Sequence, residues 1–190
     1  MRKVIAVSLL FVMIFALLGC ANQTKDANKL IDKRNEHYKT AEEVVEELEN
    51  LTSGMGQGQT VEEFKQEQDM LKDTKSKIEK AKKELSSGLD NLKEAKELDI
   101  SSDFKTYIGM VISADSARME MIDLLEGLID EAVAFYDLVI SNPNASAAEL
   151  QPYMDKMKEY SEKLQDKEKE AKELDEKAKD YHEEKNLGGD

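Results

Sequence analysis

A seven-residue repeat of apolar side chains runs through residues 60–98 and restricts this part of the chain to a long amphipathic helix. The large members recur every seven residues: Phe64, Leu71, Ile78, Leu85 and Leu92. From Leu71 to Ala95 the small members Thr74, Ala81, Gly88 and Ala95 alternate with them in steps of three and four. This spacing places all of them along one face and is typical of coiled-coil packing against a neighbouring helix. Thr60 and Glu63 form a capping-box pattern at its start. At Gly88 we expect a neighbouring helix to approach closely.

Three further segments have the periodicity of amphipathic helices, at about 24–51, 103–141 and 151–184. The segment 103–141 is the most apolar and carries two adjacent stripes, which predicts contact with at least two neighbours. Glu, Lys, Leu and Ala dominate the composition, as in long helices. The sequence therefore predicts an all-α fold, an elongated antiparallel up-down four-helix bundle with coiled-coil-like packing.

The loops predicted between these helices differ in character. Residues 52–59 contain three glycines, and residues 141–151 contain Pro143 together with a capping-box pattern at Ser146 and Glu149. Pro152 is unfavourable inside a helix, so we expect a short turn or a kink before the fourth helix. With four antiparallel helices, both of these loops lie at one end of the bundle and both chain termini at the other.

Few residues offer catalytic or metal-binding chemistry. The two histidines, His37 and His182, are preceded three residues earlier by Arg34 and Lys179, so the Glu-x-x-His pattern of di-iron bundles is absent from the sequence. Both histidines are flanked by charged residues and are predicted to lie at the solvated surface. An enzyme is therefore the least favoured class, and no cofactor is predicted.

Two sets of residues leave a ligand-binding interpretation open. Asp115 and Arg118 interrupt an apolar stripe at a spacing that allows them to pair. They indicate either a polar recess that binds a ligand or a polar contact that fixes helix register.

The second set consists of methionines in M-x-M and M-x-x-M patterns: Met119, Met121, Met154 and Met157. Thioether sulfurs bind Cu(I), but methionine also fills irregular cores. A small-ligand or copper carrier is therefore the alternative function.

The first twenty residues have the organisation of a secretory signal. Arg2 and Lys3 precede a charge-free apolar run of 15 residues, from Val4 to Leu18, which is shorter than the roughly 20 residues that a spanning helix needs. Cys20 is the only cysteine of the chain. A lone cysteine forms no internal disulfide, so its position directly after this run favours lipid attachment. The alternative is an uncleaved N-terminal anchor with an incidental cysteine.

The residues Leu17-Leu18-Gly19-Cys20 resemble the lipobox of prokaryotic lipoproteins, and the helical remainder resembles the small helical, cell-wall-binding members of that group. The resemblance implies a signal peptide over 1–19 and a diacylglyceryl group on Cys20. The predicted organisation is then a lipidated cysteine and tether over 20–26, a helical bundle over 27–186 and a loose tail over 187–190.

The charge balance narrows the choice of partners. Removal of residues 1–19 would leave 25 basic against 41 acidic residues, a formal net charge of −16. Such a surface repels nucleic acid, so no nucleic-acid partner is predicted. We expect an extracytoplasmic, non-catalytic protein that a lipid on Cys20 holds at a cell membrane, where the bundle binds or scaffolds another envelope protein or a cell-wall component.

Overall fold

The computed structural model describes residues 23–45 and 60–187. Four helices make up this part of the chain: α1 over residues 23–45, α2 over Val61–Glu97, α3 over Ser102–Ser141 and α4 over Ala147–Glu184. At about 1.5 Å per residue, each of the last three is about 55–60 Å long. No strand occurs within the described residues.

Consecutive helices run antiparallel, as the contacts between their ends show. Gln68 of α2 binds Asp137 of α3, and Lys82, farther along α2, binds Glu126, which comes earlier in α3. The two helices therefore run in opposite directions. The backbone N–H of Asp99 donates to the side chain of Gln23, which brings the α2–α3 turn to the start of α1. We call this end of the bundle proximal and the end with the α3–α4 turn distal. The elongated, up-down four-helix bundle predicted from the sequence is confirmed.

The buried apolar side chains form two clusters along the bundle axis. The proximal cluster joins α1, α2 and α3, and consists of Ala27, Leu30, Leu92, Ala95, Ile100, Phe104 and Ile108. The distal cluster joins the same helices nearer the other end, and consists of Ala41, Val44, Leu71, Ile78, Ala81, Leu85, Ile122, Ile129 and Tyr136. Helix α3 packs against both α2 and α4, as its two apolar stripes predicted.

Side-chain hydrogen bonds cap the first turns of α2 and α3. Thr60 Oγ1 accepts from the N–H of Glu63 at 3.2 Å, and the carboxylate of Glu63 accepts from the N–H of Thr60 at 2.9 Å. Ser101 accepts from the N–H of Phe104 at 3.2 Å. These contacts satisfy backbone donors that the first helical turn leaves without partners.

Helix α4 begins earlier than predicted and continues through Pro152. It starts at Ala147, because the Glu149 carboxylate accepts hydrogen bonds from the N–H and the hydroxyl of Ser146, each at 2.7 Å. The α3–α4 connection is therefore short, over residues 142–146, and the separate turn expected near Pro152 is absent from the described chain. Pro152 is exposed, so water can satisfy the helix carbonyl that its missing N–H leaves without a partner.

Helix α4 ends in a defined cap that includes Leu187, the first residue of the predicted tail 187–190. Asn186 has a φ of 49°, and the N–H of Leu187 donates to the carbonyl of His182 at 3.2 Å. This is a left-handed cap of the Schellman type. Leu187 then packs against the proximal cluster. Residues 188–190, residues 46–59 with the predicted loop 52–59, and residues 1–22 with Cys20 lie outside the described residues.

Candidate functional site: a buried ion network

Asp115 and Arg118 lie in a layer of charged side chains that separates the proximal from the distal cluster. Asp115 is only 1% exposed and lies about a third of the way along α3. Arg118 Nη1 donates to Asp115 at 3.1 Å, so the pairing predicted from their spacing is present. Two further residues complete the network, Arg34 from α1 and Asp175 from α4.

Arg34 occupies the position that faces Asp115. Its Nε donates to Asp115 Oδ2 at 2.7 Å, and its Nη2 donates to Oδ1, so the two side chains form a bidentate pair. The side chain of Arg34 is 12% exposed. A bidentate guanidinium–carboxylate pair fixes orientation as well as charge. The recess that Asp115 and Arg118 indicated in the sequence is therefore filled by a side chain of the same chain.

Arg118 connects the network to α4. Its Nη2 donates to the Asp175 carboxylate, while its Nη1 remains on Asp115. Burial lowers the pKa of Arg118, but the hydrogen bond to Asp175 and the nearby negative charges outweigh burial and leave the pKa raised. Arg118 therefore stays protonated and links three helices through two carboxylates.

The ring of Tyr38 contacts both guanidinium groups. Cζ of Arg34 is 4.6 Å from the ring centroid and Cζ of Arg118 is 4.7 Å from it, within the range of cation–π contacts. Burial raises the pKa of the Tyr38 phenol, although both arginines oppose that shift. The phenol thus remains neutral, and its ring makes a cation–π contact with each arginine.

The network is internally balanced, with two guanidinium and two carboxylate groups. Within the described residues, no buried side-chain nitrogen or oxygen lacks a hydrogen-bond partner. Such an arrangement holds helices in a defined register, which was one of the two interpretations of Asp115 and Arg118. The sequence did not identify Arg34 and Asp175 as members, because they are 81 and 60 positions from Asp115. Arg34 entered the sequence analysis only as the residue three positions before His37.

The two histidines are both half-buried rather than solvated as expected. Nδ1 of His37 is 2.7 Å from Glu84 Oε2, which joins α1 to α2. The ring centroid of His182 is 4.9 Å from that of Tyr107, so this histidine packs between α4 and α3. Each histidine therefore contributes an interhelical contact.

The four candidate methionines have different surroundings. Met119 packs against the distal cluster, whereas Met154 is 51% exposed. Two ion pairs between α3 and α4 show how far apart the two methionine pairs lie: Glu120 binds Lys167, and Glu131 binds Lys156. These pairs are 11 residues apart on each helix, or about 16 Å along the axis. Since Met119 and Met121 flank Glu120, and Met157 follows Lys156, the structure does not bring the four sulfurs together.

The described residues contain neither a metal-binding group nor a membrane-spanning helix. No group of three or more His, Cys, Asp or Glu side chains there has an arrangement that could hold a metal ion. Of the helices described, none combines the length and the apolar character that crossing a membrane requires. Comparison of the chain with protein-family models, with curated proteins and with solved structures gave no match.

Proposed function

We propose that this protein is a lipid-anchored helical bundle on the outer side of a cell membrane, where it binds or scaffolds an envelope partner without catalysing a reaction. The observation that carries the proposal is the position of Cys20. It is the only cysteine, it ends a signal-like apolar run, and only Ala21 and Asn22 separate it from the first described residue of α1. A diacylglyceryl group there supplies two acyl chains, which anchor a protein stably where one would not.

The topology supports an orientation for the anchored bundle. The described part of α1 begins at the proximal end, so a lipid on Cys20 would hold that end at the membrane. The distal end would then project about 55–60 Å outward, with the α3–α4 turn at residues 142–146 exposed to partners. The loop 52–59, which we expected beside that turn, lies outside the described residues.

The charge distribution along the bundle supports the same orientation. Three distal segments, residues 60–72, 130–142 and 147–159, together carry four lysines against ten acidic side chains. Like charges at close range oppose contact with an anionic membrane surface, so this end is better placed away from it. An acidic distal end also favours a partner whose contact surface is basic.

The anchor is tested by replacing the cysteine. Cys20→Ala, expressed in a bacterial host with lipoprotein processing, should accumulate as the uncleaved precursor, because lipidation of this residue precedes cleavage. Gly19→Ala is the matched control, since it keeps a small residue before the cut and should be processed normally. Intact-mass spectrometry separates precursor from lipidated product. Identical mature masses for the wild type and Cys20→Ala would reject the anchor.

The partner is tested with a photo-crosslinking amino acid at one of two positions in otherwise identical chains. A probe at Asn144, in the distal turn, should crosslink to a protein or cell-wall component in the native host. A probe at Asp180, near the proximal end of α4, should crosslink to lipid. Mass spectrometry of the products identifies each adduct. Lipid adducts at Asn144 would show that the orientation is wrong.

A further inference from the structure

A groove of about 490 Å³ lies at the proximal end of the bundle, where α2, α3 and α4 meet. It is open to solvent along its length. Its lining combines a polar rim with an apolar floor: Lys96, Lys105, Thr106, Gly109, Met110, Ser113, Leu174 and Lys177. The proximal position matters, because the proposed anchor would place this groove beside the membrane surface.

All of the ionisable side chains that line this groove are lysines. Each of the three helices contributes one of them, Lys96 from α2, Lys105 from α3 and Lys177 from α4. None of the three forms an ion pair with another described residue, although most lysines of α4 do. The groove beside Glu120, by contrast, is lined by lysines and carboxylates together. Three ammonium groups without an internal counter-charge therefore converge on one groove.

The floor of the groove shows how an anion would be held. A Cβ placed on Gly109 would lie 3.3 Å from Nζ of Lys96, so this glycine leaves room for the ammonium group against α3. Thr106 and Ser113 donate their hydroxyl hydrogens to helix carbonyls, at 2.9 and 3.1 Å. The donors available to an anion are therefore the ammonium groups, with the apolar side chains of Met110 and Leu174 beside them.

The proximal end is also the part of the chain that can approach an anionic surface. Its three described segments, residues 23–33, 93–105 and 177–187, carry nine lysines and nine acidic residues, so they are electrically neutral. The chain without residues 1–19 carries −16. The described residues farther along the bundle, 34–45, 60–92 and 106–176, carry 16 basic and 28 acidic residues, a formal charge of −12. Most of this charge lies beyond one Debye length of about 8–10 Å from the proximal end.

We propose that the lysine groove binds the phosphate of an anionic glycerophospholipid in the membrane that holds the anchor. The ammonium groups contact the phosphodiester, and the apolar floor contacts the adjoining glyceryl carbons. Since the groove occupies one side of the bundle, the contact also sets the rotation of the bundle about its long axis. The inference rests on the proposed lipid anchor, which by itself leaves that rotation free.

The test compares lysine reactivity in two membranes. The full-length lipidated protein is placed in nanodiscs of phosphatidylcholine, with or without one-quarter phosphatidylglycerol, and briefly acylated. Peptide mass spectrometry then gives the rate at each lysine. In phosphatidylglycerol discs, acylation of Lys96, Lys105 and Lys177 should fall by about threefold, as for a site that is two-thirds occupied. Lys65 and Lys83 serve as controls, because they are exposed, lie outside the proximal segments and form no described ion pair. Their acylation rates should be the same in both discs.

Three outcomes separate the lipid site from the anchor and from a general phosphate site. Equal rates for the groove lysines in both discs would overturn the lipid site while leaving the anchor intact. Failure of the protein to enter either disc would instead refute the anchor. Inorganic phosphate added to phosphatidylcholine discs should give no protection, and protection equal to that by phosphatidylglycerol would show a general phosphate site.

A variant with Lys96→Gln, Lys105→Gln and Lys177→Gln gives an independent readout. Native mass spectrometry of the detergent-extracted protein should show a phosphatidylglycerol adduct on the wild type and none on the variant. Circular dichroism shows whether the variant keeps its helix content, and the substitutions are at the surface. An adduct of equal abundance on the folded variant would overturn the proposal.

Discussion

Replacement of Asp115 by asparagine removes the central charge of the ion network without changing the size of the side chain. Asparagine keeps one oxygen that can accept a hydrogen bond, but it offers no charge to Arg34 or Arg118. Arg118 retains Asp175 on α4. Arg34 retains a hydrogen bond of 3.0 Å to Asn35, which is neutral. The variant therefore leaves one poorly solvated guanidinium group without a counter-ion.

The expected cost follows from the burial of the two partners. The side chains of Asp115 and Arg34 are 2% and 12% exposed, so solvent screens their interaction weakly. Removal of one member of a buried ion pair destabilises a protein by about 3–5 kcal/mol, because the remaining charge stays buried without its partner. The oxygen that asparagine retains places the expectation at the lower end, about 3 kcal/mol.

Equilibrium unfolding in urea, followed by circular dichroism at 222 nm, measures this cost. With a slope of about 2 kcal/mol per molar urea, the midpoint should fall by about 1.5 M. Asp123→Asn is the matched control on the same helix, because its side chain is 56% exposed and Lys82 also binds Glu126. That control should change stability by at most about 1 kcal/mol. If Asp115→Asn changes the midpoint no more than the control, the network does not hold the helices together.

Two other features give further predictions. Gly127→Ala should lower the free energy of unfolding by about 1–3 kcal/mol in the same assay, because the new Cβ would lie 2.6 Å from the Tyr160 ring. Gly88→Ala should leave that free energy unchanged or raise it by up to about 1 kcal/mol, because its nearest contact would be 3.4 Å away. A larger loss of stability for Gly88→Ala than for Gly127→Ala would contradict this reasoning. Hydrogen bonds from the backbone N–H and the hydroxyl of Ser146 lower the pKa of Glu149. The ionised Glu149 therefore stabilises α4 fully above the usual glutamate pKa of about 4.5, and this stabilisation is lost as pH falls through the lower pKa of the folded protein. A carboxyl ¹³C titration should place Glu149 below that usual value. Ser146→Ala removes the hydroxyl but keeps the backbone N–H donor, so it should raise the pKa only part of the way back.

The helices were predictable because their signals are local. The large and small members of the α2 repeat from Leu71 to Ala95 are all buried in the structure, and the cap at Thr60 forms as its spacing predicted. Periodicity and capping depend on residues three or four positions apart, which the sequence displays directly. At Pro152 two local signals conflicted, and the cap at Ser146 prevailed over the proline.

Contacts between distant segments were less predictable. At Gly88, where we expected a close approach, α1 is in ordinary contact, since a Cβ there would lie 3.4 Å from Arg34 Cγ. Among the described glycines, the tightest contact is at Gly127, against Tyr160 on α4. Tyr160 lies on the apolar stripe of α4 with Met157 and Leu164, but the stripe does not show which residue of α3 it faces. His37 was likewise placed at the surface, because the sequence does not show that Glu84 lies opposite it on α2. The pairing of faces between helices depends on their register, and periodicity alone does not specify register.

The position of the ion network explains how the register between the packed helices is fixed. A repeat of seven residues is satisfied nearly as well after a slip of seven, since large side chains again meet large ones. In the parallel pair of α1 and α3, Arg34 faces Asp115. A slip of one heptad in either direction would place Arg34 opposite Ile108 or Ile122, which lie in the proximal and distal clusters. Each alternative leaves Arg34 buried without a counter-ion, at a cost of several kcal/mol, and leaves Asp115 with Arg118 alone. The charged layer between two apolar clusters therefore excludes the registers that the apolar repeat would otherwise permit.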